Sequence, residues 1–197
     1  MSKLTKFAAA SAAVLALAVP LAAQAESTAP EAMKAVIAAT QQAFIDNPEA
    51  AKATFAASSR VVEGFRTEAT MRGHSVTVDF TEGLGGTDAG PSPVELVLAS
   101  VGTCQAMTYQ AFAAALEIPV DEITVDVEGD IDLRGFLAVD EAVRPGFEAM
   151  RISVRLVSSA SDEQIGMLRQ MANAHCPLLD IVSNQTPVET VITHEAP

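Results

Sequence analysis

The sequence predicts an α+β domain behind an export leader. Three observations carry that expectation: a helical run from Ser92 to Leu116 with no charge after Glu95, period-two β-branched segments on both sides of it, and a second capped helix ending at Cys176. Strands grouped around two cysteine-bearing helices give the order helices, ββ, long helix, ββ, helix, short helix, β, which is the α+β class. At 197 residues, 49% hydrophobic, the chain is long and apolar enough to bury a core without staples. A disordered chain is excluded by that apolar content. With 12 basic residues against 25 acidic and a net charge of −13, binding nucleic acid by phosphate neutralisation is excluded as well.

The elements follow in order. Residues 1–25 carry Lys3 and Lys6, an apolar stretch from Phe7 to Ala23 broken by Ser11 and Pro20, and the triplet Ala23-Gln24-Ala25. This reads as a cleavable signal peptide, so the mature chain is expected to be exported, into the periplasm, with no stable membrane insertion after cleavage. Residues 26–59 are alanine-rich with a break at Asn47-Pro48, a helical extension of one or two short helices packed on the main domain. The main domain runs from 60 to 197.

It begins with Val61, Val62, Phe65 and Thr67 before Arg72-Gly73 and Val76, Val78 and Phe80 after it, the pattern of one hairpin. Residues 82–92 hold four glycines and Pro91, which is turn chemistry. No lysine follows in P-loop spacing, so this loop does not cradle a phosphate. Ser92-Pro93-Val94-Glu95 then has proline at the first helical position and the spacing of a capping box. The uncharged run from Leu96 to Leu116 is long enough to cross a bilayer. Its Ser100, Thr103, Gln105, Thr108, Tyr109 and Gln110 instead suit the central helix of a soluble core.

After Pro119, Ile123 to Leu133 alternates with acids between the apolar positions, and Met150 to Leu156 alternates again as its antiparallel partner. Ser161 to Gln164 is a second capping box, opening a helix that ends at Cys176 because Pro177 disfavours helical backbone in the residue before it. A short helix from Pro177 to Val182 and a last strand from Val188 to Thr193 complete the chain.

Cys104 and Cys176 are too far apart in sequence for a Cys-x-x-Cys redox motif. Three readings stand: a structural disulfide, favoured by export; two inert buried thiols; or a pair in which one thiolate attacks an electrophile and the other resolves the product. A thiol inside a helix, like Cys104, needs a nearby charge to ionise at neutral pH, and Arg60, Arg66 and Arg72 lie on or beside the preceding hairpin.

The stretch Gly90-Pro91-Ser92-Pro93-Val94-Glu95-Leu96-Val97-Leu98-Ala99-Ser100-Val101-Gly102-Thr103-Cys104, with Ala174-His175-Cys176-Pro177 downstream, resembles the two cysteine motifs of the OsmC/Ohr family. The element order fits that family too, over roughly 60–193. The resemblance implies an OsmC-like fold and an intertwined homodimer with two equivalent sites at the interface. It further implies a peroxidase in which Cys104 attacks the O–O bond of an organic hydroperoxide, becomes a sulfenic acid and is resolved by Cys176 as a disulfide. An external dithiol would reduce that disulfide, and no other cofactor is implied.

Peroxidase members pair an arginine and a glutamate beside the nucleophile. Arg72 is the best positional match for the arginine, with Arg66 second. The glutamate of the hydroperoxidase pattern directly follows the Asn-Pro of its motif, where this chain has Val94, and Glu95 comes one residue later, turned by about 100° on a helix. The pattern is thus closer to the general OsmC-like subgroup than to the dedicated hydroperoxide-resistance enzymes. The competing expectation is a non-enzymatic exported domain on the same fold, with a static disulfide or a small lipophilic molecule in the interface cleft. His175, beside Cys176, reads as a polar residue at a helix end rather than a proton acceptor or ligand, and no metal-ligand spacing is present.

Overall fold

The protein is described by a computed structural model over residues 29–196, so the expected leader lies outside the described residues. Helix α1 (Ala29–Asp46) is followed by a single 3₁₀ turn at Pro48–Ala51, where Pro48 breaks the helix as its position suggests. Lys34 of α1 pairs with Glu117 and so ties this extension to the far end of the central helix. Among the described residues no helix is long and apolar enough to cross a membrane.

The expected single hairpin is a three-stranded meander. Strands β1 (Ser58–Glu63), β2 (Arg66–Met71) and β3 (His74–Val78) pair antiparallel in that order. Gly64 takes left-handed backbone, φ +56°, and folds the segment back on itself after Glu63, so that Glu63 pairs with Arg66. One glycine inside a β-branched run was enough to turn one expected strand into two. Arg72 occupies the second tight turn, also left-handed at φ 56°.

Helix α2 (Pro93–Ala115) is the longest element, capped by a complete Ser92–Glu95 capping box with Pro93 in its first turn. It packs on β4 (Glu122–Asp130), which pairs in register with β5 (Ala149–Val157) from Glu122–Val157 to Asp130–Ala149. Met150, Ile152, Val154 and Leu156 of β5 are half-buried and the positions between them are exposed, as period two requires. Close approach of α2 to this ribbon depends on glycine: a methyl on Gly102 would lie 3.2 Å from Val127, and one on Gly129 would lie 2.6 Å from the Phe147 ring and 3.1 Å from Leu98. The β4–β5 connection includes one turn of helix, α3 (Leu133–Phe136).

Helix α4 (Asp162–His175) opens with its own capping box, Ser161 and Gln164, and α5 (Pro177–Ser183) follows after one non-helical residue. The core lies where α4 crosses α2, with Tyr109, Ala113, Ile118, Leu168 and Ala172 buried together and Phe112, Ile123, Val154 and Leu156 packed around them. The expected last strand does not form: residues 185–196 have no regular pairing, and Val188 and Ile192 are each 86% exposed. A strand exists only where a second backbone edge accepts its hydrogen bonds, and among the described residues none reaches this segment.

Candidate active site

The two capping boxes and one proline assemble the site. Ser92 accepts from the Glu95 amide at 3.4 Å, while the Glu95 carboxylate accepts from the Ser92 amide and hydroxyl, each at 2.7 Å. These bonds fix the start of α2 and thereby the helical phase of Cys104, three turns on. On the other side, Pro177 excludes helical backbone at Cys176, which takes φ −83°, ψ 112° and serves both as the last cap of α4 and the first of α5. That kink turns Cys176 inward, where it is 2% exposed.

The result is a dithiol. The Cys176 thiol donates to the Cys104 sulfur at an Sγ–Sγ distance of 3.3 Å, and both cysteines are free. An S–S bond is about 2.05 Å long, so side-chain rotation closes most of the remaining gap.

Around Cys104 opens a cavity of about 560 Å³ lined by Ser100, Thr103, Met107, Thr108, Phe112, His175 and Leu178 among others. It is mostly apolar, which suits an organic substrate better than a hydrophilic one. Burial raises the Cys104 thiol above its usual value, and the neighbouring Cys176 thiol adds to this. The backbone N–H of Leu178 opposes the shift by donating to the sulfur, and Thr108 acts in the same direction. No arginine among the described residues is one of the groups acting on this thiol.

The other expected site residues sit elsewhere. Glu95 is exposed and engaged by Ser92, whose hydrogen bonds hold its carboxyl below the usual range. Arg72 is at the tip of the β2–β3 turn and Arg66 pairs with Glu63 at 3.0 Å; neither lines the cavity. Two contributors were not anticipated. Thr108 lies one turn beyond Cys104 on the same helical face, and Leu178 offers its amide because Pro177 starts α5 one residue earlier. Both follow from spacing once the helices are fixed. Among the described residues no cluster of three or more His, Cys, Asp or Glu could hold a metal ion.

The fold is shared with known structures. An OsmC-like protein from Mycoplasma pneumoniae matches with a TM-score of 0.59 at 16% identity, over 67% of this chain and 89% of that one. An organic hydroperoxide resistance protein OsmC from Legionella pneumophila matches with a TM-score of 0.51 at 15% identity, over 66% of this chain and 89% of that one. Among curated proteins none matches the sequence significantly. The family model described as OsmC-like protein matches residues 86–191, from the glycine-rich loop before α2 into the unpaired tail and including both cysteines, and on that match the chain belongs to the OsmC-like protein family.

Proposed function

We propose that the protein is an exported, homodimeric, thiol-dependent peroxidase that reduces organic hydroperoxides. The observation that carries this reading is the free dithiol: two helices bring Cys104 and Cys176 to 3.3 Å at the wall of a largely apolar cavity. The Cys104 thiolate attacks the terminal oxygen of the hydroperoxide, the O–O bond breaks, the alkoxide takes up a proton and leaves as an alcohol, and Cys104 is left as sulfenic acid. Cys176 then condenses with it, releasing water and forming the disulfide, which a dithiol supplied from outside reduces. The name of the Legionella relative supports the substrate class.

The second copy belongs to the same proposal. No helix makes more than a marginal contact with the β1–β2–β3 sheet among the described residues, and Val61, Val62 and Phe65 on it are exposed. A sheet of this kind needs a covering layer, and an intertwined partner supplies one. One observation favours the competing reading, a non-catalytic domain holding a lipophilic molecule: within one chain the Cys104 thiol is raised by burial and has no cation beside it.

Consumption of tert-butyl hydroperoxide by the purified protein with dithiothreitol present separates the two. The wild type is expected to turn over. Cys104→Ser should abolish consumption, and Cys176→Ser, assayed with no dithiothreitol, should stop after one equivalent, leaving a sulfenic acid that dimedone traps. Absence of consumption by the wild type, or unchanged consumption by Cys104→Ser, excludes the peroxidase.

A further inference from the structure

We infer that His175 is the proton-transfer group of the Cys104–Cys176 cavity, an inference that rests on the proposed peroxidase reading for its physiological use. Its sequence position suggested a polar helix end; the structure puts its side chain on the wall of the cavity that holds Cys104. The ring is held against Phe112, with centroids 5.3 Å apart and planes tilted by 39°. It stays exposed on its outer side and so exchanges protons with water.

The other polar groups of the wall are committed. Ser100 donates to the Leu96 carbonyl at 2.6 Å, Thr103 to that of Ala99 at 2.8 Å and Thr108 to that of Cys104 at 2.7 Å. Histidine is, besides the thiol, the acid–base side chain of the lining. The remaining titratable groups on the packed elements face other partners. Tyr109 of α2 is buried in the core, Arg169 of α4 acts on Tyr109, and Asp180 of α5 accepts from the Asn184 amide.

The step balances within the cavity. The imidazole takes the Cys104 thiol proton; the thiolate attacks the terminal peroxide oxygen; the O–O bond breaks; the imidazolium returns its proton to the departing alkoxide. In resolution the same ring carries the Cys176 proton to the hydroxyl lost from the sulfenic acid as water.

The test needs no peroxide. In full-length protein carrying Cys176→Ser, alkylation of Cys104 by iodoacetamide is followed from pH 5 to 10, alone and with His175→Gln or His175→Phe added. Both substitutions are expected to slow alkylation at pH 7 by about tenfold or more and to move the profile to higher pH. His175→Phe keeps an aromatic ring on Phe112, so recovery of the parent profile by that variant would assign His175 to packing and overturn the inference, as would superimposable profiles throughout. A measurement that leaves His175 in place guards against misfolded variants: the NMR titration of its ring should shift to lower pH in Cys104→Ser, and an unshifted curve also overturns the inference. Because alkylation is independent of hydroperoxide, a protein that passes these tests yet consumes none refutes the peroxidase alone.

Discussion

Glu95 and its capping partner Ser92 show how one side chain can satisfy two expectations in sequence and only one in space. Its carboxylate is bound to the Ser92 amide and hydroxyl, away from the sulfur. Glu95→Ala should therefore cost about 1 kcal/mol of stability, the usual worth of a cap, and leave the Cys104 alkylation rate unchanged. Because those hydrogen bonds lower the folded pKa below the usual 4.5, the stabilisation is full above that value and disappears as pH falls through the folded one. Urea midpoints of variant and wild type should thus differ at pH 7 and converge in acid, once the carboxyl is protonated in the fold as well. A slowed alkylation at full stability would instead place Glu95 in the chemistry. The capping residues and Pro177 were legible because each acts on its own backbone within three residues. The cavity role of His175 was not, since it depends on where the α2 surface lies, which no local pattern states.

At the scale of elements, α2 carries an internal conflict. Gln105 is 1% exposed, and neither its amide nitrogen nor its oxygen has a partner among the described residues. An orphaned buried amide is destabilising, and a methionine of similar length fills the same space without it. Gln105→Met should raise the unfolding free energy by about 1 to 2 kcal/mol in a urea titration; a loss of stability would mean that the amide has found a partner in the assembled protein. The glycine-rich loop before α2 has the opposite design. Asp79, 2% exposed, accepts from the Thr87 hydroxyl at 2.6 Å and from the Phe80 and Thr87 amides at 2.8 and 2.9 Å, and these bonds hold its carboxyl below the usual range. Its contribution is present above pH 3.8 and lost as pH falls through the lower folded value, so Asp79→Asn should lower the melting temperature at pH 7 and progressively less as the pH is taken into acid. Helices and the β4–β5 ribbon were readable because period and caps agree along them. The β1–β2 turn was missed because Gly64 looked like a residue within a strand, and the tail from Val188 to Thr193 because its apolar alternation describes a strand that meets no pairing edge among the described residues.

Over the whole molecule, unpaired apolar surface and net charge make separate demands. Val61 and Val62 on the first sheet, Phe65 in its first turn, and Val188, Val191 and Ile192 on the tail are exposed, apolar surface that the proposed second copy would cover. Sedimentation should give twice the mass of one chain, and a monomer would remove the proposed partner. Charge acts at longer range. The chain carries −13 at neutral pH while the lining of the Cys104 cavity contains no acid, so the repulsion felt by an incoming anion comes from the overall field rather than from a contact. A fatty-acid hydroperoxide bears a carboxylate and must approach against that field, whereas tert-butyl hydroperoxide is neutral. Raising ionic strength from about 10 to 150 mM shortens the screening length from about 30 to 8 Å. The second-order rate of Cys104 oxidation should accordingly rise by roughly threefold for the fatty-acid hydroperoxide and stay level for the neutral one, read by stopped flow in the first turnover. Equal salt responses for the two substrates would show that the entrance is locally neutralised, and the cationic side chains of a second copy, Arg72 foremost, would then be the groups to remove next.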